Sequence, residues 1–68
     1  MNIILYTIGC YKCKILEEKL KEKNISFTIC DDESLMEKIG ITKVPMLKVE
    51  DKMMDFGQAK TWVENYEN

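Results

Sequence analysis

The chain contains no histidine, a single proline and only three glycines among its 68 residues. Without histidine most hydrolytic mechanisms lose their usual general base and most zinc sites lose a usual ligand. So few prolines and glycines leave no composition for a flexible linker, and no repeat or low-complexity segment interrupts the chain. No apolar run approaches the ~20 residues a membrane span requires. The amino end, MNIILYT, carries no basic region and too short an apolar run for a secretory signal. Acids and bases are interspersed and the net charge is only -2, so no basic surface for nucleic acid is expected. These features lead us to expect a cytoplasmic, monomeric protein with neither a nucleic-acid nor a membrane partner.

What the chain does have is 46% hydrophobic content, enough for one small core. A domain of this size buries only about 60% of its unfolded surface, so the expectation is one domain over residues 1–68 with a thin stability margin. Three cysteines in a chain with no evident signal do not suit a structural disulfide framework. C-x-x-C in a reducing compartment points instead to redox or metal chemistry.

Hydrophobic periodicity sets the order of elements. The run Asn2–Tyr6 is nearly continuous in apolar, β-branched and aromatic residues and suggests a strand covered on both faces. After a turn at Thr7-Ile8-Gly9, Tyr11–Lys23 has helical spacing, with Cys13, Leu16 and Leu20 on one face and Asn24 as a left-handed stop. Ile25–Ile29 alternates strictly, as an edge strand would, with Ile25, Phe27 and Ile29 facing one way. Asp31 or Asp32 can cap a short helix that Gly40 ends. A hairpin follows, with strands at Met46–Val49 and Met53–Asp55 around a turn at Glu50-Asp51. Ala59, Trp62, Val63 and Tyr66 then mark a final helix over Gln58–Tyr66. The order is β-α-β-α-β-β-α. Its first unit requires a parallel pair with a right-handed crossover.

The unusual local feature is the start of the first helix. A helix amino end carries partial positive charge and favours acids. Here Lys12 and Lys14 bracket Cys13, and the first acid is Glu17. Cys10 at the helix start and Cys13 one turn on share a face, so their sulfurs can bond. Free N–H groups and the lysines would favour a thiolate at Cys10, with a pKa lowered from ~8.5 toward ~7 or below. Cys13, deeper, should titrate higher. This asymmetry suits disulfide exchange, with Cys10 as nucleophile and Cys13 as resolving thiol. Tyr11, between them, is expected to be exposed and able to meet substrate, and Lys12 to act beside it. Cys30 is expected to pack as a small hydrophobe near the same rim of the sheet, Tyr6 and Trp62 to belong to the core, and Met46 to lie beside the site.

LYTIGCYKC (5–13) followed by a helix, and KVPML (43–47) opening the third strand, resemble the glutaredoxins and the related small redoxins that reduce ribonucleotide reductase. The resemblance implies an α/β minimal thioredoxin fold, with a four-stranded mixed sheet and helices on both faces. It also implies a cis Val44-Pro45 bond beside the cysteines, where Val44 and Pro45 would contact an extended substrate. No tightly bound cofactor is expected; glutathione is one possible reductant. The double glycine and acidic pair that hold glutathione in the family are reduced here to FGQA (56–59), so a flavoprotein reductase such as thioredoxin reductase is the other candidate donor. The expected partner is a disulfide-bearing protein. A competing reading is an iron–sulfur or metal module. Three sulfurs without histidine fall short of a four-ligand site in one chain, which leaves a cluster shared between two chains.

Overall fold

The computed structural model describes residues 2–66. The elements run β1 (Ile3–Tyr6), α1 (Tyr11–Glu22), β2 (Thr28–Cys30), α2 (Glu33–Lys38), β3 (Met46–Val49), β4 (Lys52–Met54) and α3 (Phe56–Glu64). The strands form one mixed sheet in the order β2-β1-β3-β4. β1 pairs parallel with β2 and antiparallel with β3, and β3 pairs antiparallel with β4. The architecture is therefore α/β, with a four-stranded mixed sheet and helices.

Register decides which side chains meet. Leu5 lies opposite Leu47, and Leu47 opposite Met54, so these three share a face with Ile3. Against that face pack Leu16 and Leu20 of α1 and Ala59 and Val63 of α3, forming one buried cluster. Each helix supplies an apolar stripe at helical spacing, and the sheet supplies the surface both stripes cover. Lys23 ties the two helices at one end. Its ammonium donates to the carbonyl oxygens of Glu64 and Tyr66, where a cation complements the carboxyl end of α3. The opposite face carries Tyr6, Met46 and Met53 by the same alternation. There the segment after α2 shares a groove of about 210 Å³ with Met46 and Met53.

Boundaries differ from expectation where caps intervene. β2 starts at Thr28, not Ile25. The N–H of Ile25 donates to Leu20 and that of Asn24 to Lys21, with Asn24 at φ 57°, closing α1 in a Schellman motif. Ile25 is thus committed to the helix end and buried, while Ile29 is 47% exposed, so the expected one-sided stripe does not form. α2 closes the same way, with Gly40 at φ 86° and the N–H of Ile41 donating to Met36. α3 begins two residues earlier than the apolar spacing suggests, because Asp55 and Gln58 form a reciprocal capping box. It ends before Tyr66, whose ring instead lies 5.2 Å from that of Trp62. β4 is Lys52–Met54, since Asp55 is taken by the cap.

Candidate active site

β1 delivers the chain to the cysteines through a tight turn. Thr7 is buried; its N–H donates to the Cys30 carbonyl, and its hydroxyl accepts the Gly9 N–H at 3.0 Å. Gly9 sits at φ 80° with open space where a Cβ would stand, so it is the backbone angle that calls for glycine there. The turn leaves Cys10 extended, at φ -72° and ψ 168°, as the N-cap of α1.

Cys10 caps with both of its acceptors. Its carbonyl accepts the Lys14 N–H at 3.0 Å, the first bond of the helix. Its Sγ accepts the Cys13 N–H at 3.2 Å, in the place a serine or aspartate oxygen normally takes. Cys10 and Cys13 are joined by a disulfide, with Cα atoms 4.9 Å apart. Cys10 is half-buried and Cys13 only 1% exposed. The sulfur that meets solvent is therefore the one held at the positive end of the helix.

No acid occupies the first turn of α1. Lys14 is exposed. Lys12 is not simply a solvated charge, because its ammonium lies over the Phe56 ring, 5.6 Å from the centroid. That contact bridges the amino ends of α1 and α3, and both residues line a cleft of about 320 Å³. Lys43, Val44, Pro45, Asp55 and Gly57 also line it. The Val44–Pro45 bond is cis, and Pro45 is buried. Among the described residues neither the N–H nor the carbonyl of Val44 is hydrogen-bonded.

The structure thus brings Lys12, Val44 and Pro45 together around one cleft. Tyr11 is 80% exposed and stands outside the described clefts. Cys30 is a free thiol, half-buried rather than packed inside, because the edge strand that carries it has no neighbour beyond. Trp62 is half-buried against the core, and Tyr6 is buried. Phe56, Asp55 and Lys43 were not singled out from sequence as site residues. The D-x-x-Q cap was the available signal for the first two, since it places Phe56 at the start of α3. Among the described residues no three Cys, Asp or Glu side chains converge as a metal-binding group. No helix among those residues is long and apolar enough to cross a membrane. Comparison of the chain with protein-family models, with curated proteins and with solved structures finds no match.

Proposed function

We propose that this chain is a thiol–disulfide oxidoreductase of glutaredoxin type, with a minimal thioredoxin fold, that reduces disulfides in partner proteins in the cytoplasm. The observation that carries the reading is the sulfur of half-buried Cys10 at the N-cap of α1, accepting a backbone N–H and disulfide-bonded to a buried Cys13. An N-cap sulfur becomes a better hydrogen-bond acceptor when ionised, and the helix dipole favours its negative charge. The parallel β1–β2 pair and the antiparallel β3–β4 hairpin support the same reading.

In the reduced protein the Cys10 thiolate attacks one sulfur of the substrate disulfide. That S–S bond breaks, a mixed disulfide forms on Cys10, and the departing thiolate takes a proton. Cys13 then loses its proton and attacks the Cys10 sulfur, releasing the second substrate sulfur as a thiol. Two electrons and two protons pass to the substrate, and the Cys10–Cys13 disulfide remains. The unpaired backbone of Val44 offers an extended substrate segment strand-like hydrogen bonds, while Lys12 lies on the same cleft.

Re-reduction calls for an external thiol donor. Glutathione is one candidate, since Lys12 and Lys43 attract a small anionic thiol; the Asp55 carboxylate lining the same cleft opposes it. A flavoprotein reductase is the other, and it would make the protein a redoxin of the kind that supplies ribonucleotide reductase. Two variants test the mechanism. Cys13→Ser accumulates a mixed disulfide with a protein substrate, read by mass spectrometry, and Cys10→Ser reduces exchange to background. Exchange surviving in Cys10→Ser overturns the assignment. NADPH consumption with either glutathione and its reductase or thioredoxin reductase then identifies the donor.

A further inference from the structure

The turn before Cys10 also borders two further grooves, which share Ile8 and Glu33; Val44 lines the first of them as well as the Lys12 cleft. One, of about 300 Å³, is lined by apolar Ile8, Met36, Ile41 and Val44 and also by Glu33 and Glu37. The other, of about 450 Å³, passes Gly9 and Ile29 and carries Glu17, Asp31 and Glu33. Ile8 is 54% exposed and Ile29 47%, and both line the second groove together with Gly9, the residue before Cys10.

The carboxylates lining these grooves are mostly uncommitted. Glu17 pairs with Lys21 at 3.3 Å, whereas Asp31, Glu33 and Glu37 make no ion pair among the described residues. Asp32, the one acid nearby with a structural role, caps α2 and lines neither groove. Glu33 suits the amino end of α2, but Glu37 lies in its last turn, where the helix dipole disfavours an acid. Lys43 is the only cation lining either groove.

Resting on the exchange reading above, we propose that these grooves bind an extended basic segment of the partner protein, adjacent to the disulfide it presents to Cys10. Apolar side chains of that segment cover Ile8 and Ile29, and its Lys or Arg side chains face Asp31, Glu33 and Glu37. The substrate class is thus a protein disulfide flanked by basic residues.

The test uses the reduced full-length chain and three peptides of equal length. Each contains one intramolecular disulfide, flanked by Lys and Arg, by Gln, or by Glu. Second-order oxidation rates should rank basic, neutral, acidic, with at least about a tenfold span at low ionic strength. That span should shrink as salt is added. The E33Q/E37Q variant should lose most of the span, and each single variant part of it should the double not fold. E18Q/E22Q makes the same change in net charge on exposed positions of α1 outside the grooves and should keep the span. Equal rates for all three peptides overturn the proposal and leave exchange intact, as does an equal loss in E18Q/E22Q. A neutral small-molecule disulfide reacting as fast as the basic peptide also overturns it, since no segment is then being bound. If neither peptides nor small disulfides oxidise Cys10 and Cys13, the exchange reading fails and this one with it.

Discussion

An N-cap is usually Ser, Thr, Asp or Asn, whose oxygen accepts an N–H from the first turn; at α1 a sulfur takes that place. Thiols are poor acceptors and thiolates good ones, so the cap bond and the reactivity of Cys10 have the same physical origin. Each strengthens as the proton leaves. A serine there should cap at least as well as a neutral thiol, whereas alanine removes the acceptor. In the reduced state Cys10→Ser should therefore unfold in urea within about 0.5 kcal/mol of the parent, or above it, and Cys10→Ala should lose about 0.5–2 kcal/mol. Equal losses in the two variants would show that the side chain at this position does not cap. Lys12 and Lys14 oppose the helix dipole, but Lys12 recovers part of that cost on the Phe56 ring.

Helix ends govern where the elements begin and stop. Asp55 and Gln58 satisfy each other's backbone N–H groups, at 2.8 and 3.2 Å, and thereby set the start of α3 and the end of β4. Asp55→Ala should cost about 1 kcal/mol, lowering the melting temperature by about 4–8 °C in a domain this small. A shift under about 1 °C would mean that α3 is held by packing alone. The same caps explain which boundaries could be read from sequence. Met46–Val49 was placed correctly because Pro45 precedes it and a turn follows. Tyr11–Glu22 was placed within a residue because its apolar face and Asn24 agree. The starts of β2 and α3 are not legible in the sequence because apolar alternation in Ile25–Ile29 and apolar spacing in Gln58–Tyr66 are periodic signals, blind to the backbone bonds at Ile25 and Asp55. The cysteine pair was evident from three residues of spacing. The cleft was not, because Lys12, Lys43 and Phe56 come from three separated segments and meet only after folding.

Among the described residues the main apolar cluster is small. Leu5, Leu16, Leu20 and Leu47 are each 0% exposed and belong to the same cluster. A single core in a chain below ~70–80 residues rarely supplies more than about 3–5 kcal/mol, while Leu→Ala in a close-packed core costs about 2–5 kcal/mol. Leu5→Ala should accordingly leave much of the population unfolded at 25 °C by circular dichroism. Ile29→Thr, on the exposed edge strand, should lie within about 0.5 kcal/mol of the parent. A fully folded Leu5→Ala protein would point to stability from elsewhere. This thin margin gives the sheet its place in the functional account. β1, at its centre, holds the Thr7–Gly9 turn, and that turn in turn places Cys10 at the end of α1.

Disulfide exchange depends most on the ionisation of Cys10, and the direct measurement is an ultraviolet thiolate titration of the reduced protein, repeated in Cys10→Ser. The expected result is one thiol ionising well below the ordinary ~8.5 and absent from Cys10→Ser. A Cys10 midpoint at or above the ordinary thiol value would contradict it.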